Sequence, residues 1–288
     1  MKFKKLVTIF ALSSSLILSG VIVINNSNSQ TVQAAKKHKK TKYVSSKIKL
    51  PAGYTRKELL KAYRGKANAK FIKASMKGMQ DNNFSRTSAA EKVKDNKRKV
   101  NPAKLTASQR KELAKYALKL INGPRKQLKL KPWVYSKGTE KLAIDIASEY
   151  QKNGRSIRDG QHYVPGIIKA CKKNGLNLDD NYVEDMAGFN SKYKTFTITK
   201  MKKNIYFGIK QMIFGYAGSG ESGRHKKSNY REWQHAGDLF NTQASKHDGD
   251  HNYFGFSISK TGRVYSMHFI SVPTYAVKNP QYNQGFKP

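Results

Sequence analysis

Gln161-His162-Tyr163, Val183-Glu184-Asp185-Met186-Ala187 and Arg231-Glu232-Trp233-Gln234-His235-Ala236 are the three clusters on which the reading of this chain turns. They lie far apart in sequence and together offer two imidazoles, His162 and His235, and two glutamates, Glu184 and Glu232. Brought into one cleft, such a set can hold a divalent metal or polarise a water. No short Cys/His zinc motif accompanies them. The spacing alone therefore leaves a second reading open, in which these are unrelated surface or hydrogen-bonded core residues.

Working outward, the segments between and around the clusters carry helical periodicity. Thr106-Ala107-Ser108-Gln109 has the form of a capping box. Leu113, Tyr116, Ala117, Leu120 and Ile121 then recur at three- and four-residue steps, predicting a helix that Gly123-Pro124 ends or kinks. A second helix is expected over 137–152, with Leu142, Ala143, Ile146, Ala147 and Tyr150 inward and Gly154 closing it. Pro165 suits the start of a third, which carries Ile167, Ile168 and Cys171 and closes at Gly175. A fourth is expected over 199–214 with Met201, Ile205, Ile209, Met212 and Ile213 on one side as core packing. Strands come late: 253–259 and 264–272 read as an antiparallel hairpin about Lys260-Thr261-Gly262, and 182–186 as a further strand. Helices followed by a small antiparallel sheet give an α+β layered domain over 105–272, with 273–288 as a C-terminal tail.

The N-terminus reads as a secretory signal peptide over 1–34. Lys2, Lys4 and Lys5 precede an apolar run from Leu6 to Ile24, and Val32-Gln33-Ala34 supplies the small residues of a cleavage site. A retained membrane anchor is the competing reading, because the run is nearly long enough to span a bilayer. The C-terminus has no Leu-Pro-x-Thr-Gly sorting signal, so the mature chain is expected to be secreted or held at the cell wall without a covalent anchor. Cys171 is the only cysteine, which excludes an intramolecular disulfide, and its apolar neighbours Ile167 and Ile168 mark it as a buried thiol.

The formal net charge is +38, and residues 35–104 hold 22 Lys and Arg against 4 Asp and Glu. A field of this strength favours polyanions. For an exported chain these are teichoic acid-like wall polymers, anionic lipid headgroups, acidic polysaccharides and extracellular nucleic acid, the last bound non-specifically because no helix-turn-helix, zinc finger or RNA-recognition signature appears. A merely cationic, solvated surface is the plainer alternative. Within this basic extension, Lys36-Lys37-His38-Lys39-Lys40 reads as a disordered arm, 55–77 as one or two short basic helices with Leu59, Leu60, Tyr63, Ala67, Phe71 and Ile72 inward, and 81–102 as a polar linker.

Several of these segments resemble a known family. Leu120-Ile121-Asn122-Gly123-Pro124-Arg125, Lys131-Pro132-Trp133, Leu142-Ala143-Ile144 with Ala147 and Tyr150, and His162 are similar to the opening of the CAP superfamily of secreted proteins, whose bacterial members place an Asn-x-x-Arg helix and a Leu-x-x-x-Ala helix before a first site histidine. Val183-Glu184-Asp185-Met186-Ala187 is similar to that family's Gly-Glu-Asn-Leu/Ile-Ala segment, and Trp233-Gln234-His235 with Leu239-Phe240-Asn241 resembles its Gly-His-Arg-x-Asn-Ile-Leu element. The lead-in Pro51-Ala52-Gly53-Tyr54-Thr55-Arg56, Ala74-Ser75-Met76-Lys77-Gly78-Met79 and the 105–125 helix look like the surface-exclusion domain of exported proteins of lactobacilli and enterococci. The resemblance implies an α-β-α sandwich of CAP type with a basic helical extension. In it His162, Glu184, Glu232 and His235 line one cleft, with the two histidines as metal ligands and the carboxylates as orienters or water activators. Asp185 stands where the family has Asn, Gln234 where it has Gly, and Glu221 competes with Glu232 for the second carboxylate. Asp238 and His268 read as structural.

His247-Asp248-Gly249-Asp250-His251 packs two imidazoles and two carboxylates into five residues. Either His247 and His251 share one ion, or the segment is a polar loop leading into the hairpin; the Glu that would complete an EF-hand is missing. Three functions are compatible with the whole. One is an envelope-associated surface module whose cleft binds a cation, zinc or calcium, and acts in surface interaction or exclusion, with other surface proteins as partners. Another is a metal-assisted hydrolase, a protease or wall-degrading enzyme with Glu184 as general base. The third is a cationic scaffold coating the envelope. Neither His-Glu-x-x-His nor Gly-x-Ser-x-Gly is present, so the hydrolase lacks the motifs of a zincin or serine hydrolase.

Overall fold

A computed structural model describes residues 47–85 and 89–288, so the expected signal peptide and the Lys36–Lys40 arm lie outside the described residues. The chain runs α1 (Arg56–Tyr63), α2 (Ala69–Asp81), α3 (Ala89–Lys97), β1 (Lys99–Val100), α4 (Ala107–Gln127), β2 (Val134–Tyr135), α5 (Lys137–Lys152), α6 (Val164–Lys173), β3 (Glu184–Asn190), β4 (Phe196–Thr197), α7 (Ile198–Phe214), α8 (Gln234–Leu239), β5 (Asn252–Thr261), β6 (Val264–Pro273) and α9 (Thr274–Lys278), with short 3-10 turns between. The main sheet has the order β2-β5-β6-β3. Its β5-β6 hairpin turns at Gly262, and β3 is added antiparallel to β6 as an edge strand. Among the described residues no helix is long and apolar enough to cross a membrane.

Strand alternation divides the core between the two sheet faces. One face, with Ala187, Phe189, Phe254, Phe256, Met267 and Phe269, packs against α4, α7, α8 and the N-terminal helices. The other, with Met186, Ile270 and Val272, packs against Leu142, Ile146 and Tyr150 of α5, Ile167 and Cys171 of α6, and Phe286 of the tail. The result is an α-β-α sandwich. Backbone contact between layers is tight where α5 begins: a Cβ added at Gly255 of β5 would lie 2.4 Å from the Thr139 backbone. Cys171 is buried as expected, and burial pushes its thiol up to about 12.

The expected helices α4 to α7 form with their inward faces buried. Thr106 and Gln109 make the reciprocal capping box, and Gly154 and Gly175 take the left-handed backbone that ends a helix. Four expectations need correction. First, α4 does not stop at Gly123-Pro124 but runs to Gln127. Pro124 removes one amide bond near the helix end, and the next turn is held by Arg125, whose buried guanidinium donates to the carbonyls of Lys131 (2.8 Å), Leu239 (2.7 Å) and Asp250 (2.8 Å) and to Asn241 Oδ1 (2.8 Å).

Second, 81–102 is not simply a linker. It forms α3 and β1, and buried Asp95 pairs with Lys202 of α7 (2.8 Å) and with Arg98 (2.7 Å), which also grips Glu112 of α4 (2.6 Å). Third, packing does not break at Leu105: Ile48, Tyr54, Leu59, Phe71 and Met79 belong to the same apolar cluster as α4 and α7. Fourth, the strand expected over 182–186 runs from Glu184 to Asn190. The tail is likewise packed, since Gln284 N–H donates to the Gly175 carbonyl (2.8 Å).

Candidate functional site

The site forms at the head of β3. Asn181 fixes that end: its Oδ1 accepts the Glu184 amide (2.9 Å) and its Nδ2 donates to the Glu184 carbonyl (3.0 Å). Register then sends the next two side chains to opposite faces, because Glu184 is level with Ile270 and Asp185 with Phe269, which belong to different core clusters. On the α5 side, the Glu184 carboxylate accepts from His162 Nδ1 (2.8 Å), His268 Nδ1 (2.5 Å) and the Tyr150 hydroxyl (2.7 Å). On the α7 side, Asp185 accepts from His235 Nδ1 (2.7 Å).

His235 is placed by the segment leading into α8. The Arg231 and Glu232 amides donate to the Gly215 carbonyl at the end of α7 (2.9 and 3.1 Å), and Trp233 donates through Nε1 to Ser75 of α2 (3.2 Å). His162 is placed by the turn after α5, where the Tyr163 amide donates to the Tyr150 hydroxyl (2.7 Å). The two imidazoles, each about a quarter exposed, meet edge to face with centroids 6.4 Å apart. In both, Nδ1 is taken by a buried carboxylate, which leaves Nε2 as the nitrogen without a hydrogen-bond partner among the described residues.

Burial alone would raise the Glu184 carboxyl, but hydrogen bonds from His162 and His268 and their charge outweigh it and hold it at about 2. A carboxylate with both oxygens committed and so little basicity is a poor general base. Burial would depress His235, yet its bond to Asp185, with Asp238 and Glu232 adding negative charge, lifts it to about 9. Asp238, packed beside this pair, is raised well above the carboxylate range by burial and by the Asp185 charge, and it accepts from Gln243 Nε2. Asp185, His235 and Asp238 each place one ligand atom within 4.8 Å of the others, the one such group among the described residues. Glu232 differs from Glu184. Burial raises it, His235 and Arg231 offset this in part, and its buried Oε1 has no hydrogen-bond partner. Such an orphan costs about 1–3 kcal/mol unless something else engages it.

Of the residues expected in the cleft, His162 meets Glu184, His235 lies beside Glu232, and the two histidines face each other. Glu221 does not compete with Glu232, because its carboxylate is committed to buried Lys210 (3.2 Å) and to Arg224 (2.9 Å). Asp185 and Asp238, absent from the expected set, stand beside His235. His268, read as structural, bridges Glu184 and Ser259, whose hydroxyl lies 2.8 Å from Nε2. The alternation Ser257, Ser259 opposite Ser266, His268 on an otherwise apolar hairpin is the signal that could have revealed this polar stripe.

Among the described residues the ligand atoms of the alternative cluster do not converge as a metal-binding group. The ring of His247 stacks on Tyr275 (3.9 Å, 10°), and Asp248 accepts the amides of Gln243 (2.9 Å), Ala244 (3.0 Å) and Ser245 (3.1 Å) as a loop cap.

Among solved structures, the fold is similar to that of the CAP domain of enterococcal PrgA, with a TM-score of 0.63, 25% sequence identity, and 84% of this chain and 90% of that chain covered. The domain is CAP-like. No protein-family model and no curated protein matches the sequence. Within the CAP-like domain, a metal is compatible with the donors present: two imidazoles pre-oriented through Nδ1 and a buried carboxylate oxygen in need of a partner. Imidazole-rich donors suit a zinc-like ion better than calcium, which prefers all-oxygen shells.

Proposed function

We propose that this is an exported, envelope-associated surface protein whose CAP-like cleft holds a divalent cation, zinc rather than calcium, between His162 and His235, and which acts in surface interaction. The observation that carries this reading is the pairing of each imidazole Nδ1 with its own buried carboxylate, Glu184 for His162 and Asp185 for His235. Such backing fixes the tautomer and raises the basicity of the opposite nitrogen, as carboxylates behind metal-bound histidines do. Glu232 is the added oxygen donor or, if water is activated there, the base; Glu184 is an orienter. The basic surface supplies attachment to anionic wall polymers.

Calorimetric titration of zinc into the mature protein, His162→Ala, His235→Ala and Asp238→Asn tests it. Both histidine variants should lose affinity by well over tenfold, and the double change should add little, because the ligands act as one site. Full affinity in His162→Ala with loss in Asp238→Asn would move the ion to the Asp185, His235 and Asp238 group and overturn the two-histidine site.

A further inference from the structure

The His247–His251 loop, which the histidine cleft does not use, forms one wall of a separate open cleft of about 490 Å³. Lys131, Lys246 and Lys278 stand around it, and Tyr275 and Asn279 line it as well. Among the described residues the three lysines form no ion pair with a carboxylate. Of the two loop aspartates, Asp248 is spent on capping backbone amides, so Asp250 alone brings negative charge to the lining. Among the described residues the Asp250 carboxylate makes no hydrogen bond, and His247 Nδ1 lies 4.0 Å from it. The loop is held from beneath, since Arg125 donates to the Asp250 carbonyl (2.8 Å) and the Thr274 hydroxyl to the His251 carbonyl (3.0 Å). Burial, and then the charge of Lys131 with Arg125 and Lys278 adding, depress His251 against the opposing charge of Asp250.

We propose that this cleft binds a phosphate-bearing polyol or sugar, as the repeat unit of an anionic phosphodiester polymer. Unpaired ammonium groups at an open cleft attract a phosphate. The parallel His247–Tyr275 pair is a flat wall against which carbon-bound hydrogens can pack, and the volume admits a unit larger than phosphate alone. Asp250 sets the class. A lone carboxylate among lysines weakens the binding of a bare phosphate, but it accepts hydrogen bonds from hydroxyls, which a polyol carries and a DNA backbone lacks. This site is independent of the metal reading, and removal of divalent ions should leave it intact.

The test uses the full mature chain in chelator, with inorganic phosphate, glycerol 3-phosphate, a short poly(glycerol phosphate) and single-stranded DNA of equal charge as probes. The exposed pair Lys131→Gln/Lys278→Gln should weaken glycerol 3-phosphate and the polymer by about tenfold or more, whereas the control pair Lys115→Gln/Lys119→Gln, equal in charge change, should cost less than about twofold. Asp250→Asn should tighten inorganic phosphate and reduce the preference for glycerol 3-phosphate over it. Thermal melts of all variants are expected to match the parent, because the altered side chains are solvent-facing and make no internal ion pair. Equal loss in both lysine pairs would reduce the cleft to general surface charge and overturn the proposal. So would an unchanged preference in Asp250→Asn, or dependence on the cleft lysines for DNA but not for the polymer.

Discussion

Glu184 and Asp185 are adjacent in sequence but project to opposite faces of the sheet, and each accepts a hydrogen bond from a different histidine. One edge strand thereby orients two imidazoles that arrive from opposite layers. Asp185→Asn separates the charge of this device from its shape. The amide can still accept from His235, but the negative charge that opposes burial is gone, so the His235 pKa should fall from about 9 toward or below the ordinary ~6.5. Histidine titration by NMR in chelator reads this directly. An unchanged His235 would mean that Asp238 and Glu232, not Asp185, hold its proton.

Stability of the metal-free protein should have two limbs with opposite sign. Glu184 has a depressed folded pKa, so its contribution is present above the unfolded value of ~4.3 and is lost as pH falls toward 2. His235 has a raised folded pKa, so its contribution is complete below ~6.5 and is lost as pH climbs through about 9. Each limb is worth on the order of 3 kcal/mol, which places the plateau at roughly pH 4.5 to 6.5. Urea denaturation across pH checks this, and His235→Gln should remove the alkaline limb while leaving the acid one.

Helices α4 to α7 are legible in the sequence because their apolar residues recur at helical spacing and their ends carry Thr106, Gly154 and Gly175. The hairpin is legible because β-branched and aromatic residues flank Gly262. The histidine pair is legible through local resemblance, since His162, Glu184 and His235 each sit in a recognisable short segment. What escapes is long-range. Asp95 looks like one more polar residue in 81–102 until Lys202 and Arg98 surround it, and no local pattern announces a partner across the fold. Pro124 reads as a stop or kink because its cost is local, whereas the acceptors that hold Arg125 lie far along the chain, beyond residues 130, 238 and 249. His268 hides within an apolar strand, where only its opposite neighbours reveal that it faces a polar stripe.

Gly255 tests the closeness of layer packing. A methyl group there meets the backbone of Thr139, which cannot swing aside as the tip of a flexible side chain can. Gly255→Ala should therefore destabilise by about 1–3 kcal/mol despite alanine's better fit to a regular strand, because overpacking shifts backbone. The shift falls on α5, which carries Tyr150, a hydrogen-bond partner of Glu184, so the zinc affinity of the cleft should change along with the melting temperature. A stability equal to the parent would show that α5 can slide without cost.

The last prediction concerns the N-terminal boundary. Charge composition separates 35–104 from the rest, yet Ile48, Tyr54, Leu59, Phe71 and Met79 are buried in the core shared by α4 and α7. Ser75 also holds Trp233, two residues before His235. Removing these five large apolar side chains at once opens a core that loses several kcal/mol for a single large-to-small change, against a total stability of about 5–15 kcal/mol. A chain beginning at Leu105 should therefore fail to unfold cooperatively and lose zinc affinity, whereas one beginning at Lys47 should unfold cooperatively and bind zinc. Circular dichroism melts of the two chains decide between them. It follows that the proposed role of the basic extension in wall attachment has to be tested by neutralising exposed lysines such as Lys57, Lys66, Lys70 and Lys73, not by deletion. With the fold kept, those changes should lower both the affinity for purified walls and its dependence on salt, because fewer counterions are released on binding. A cooperative melt from the Leu105 chain would show instead that the extension folds onto a domain already complete.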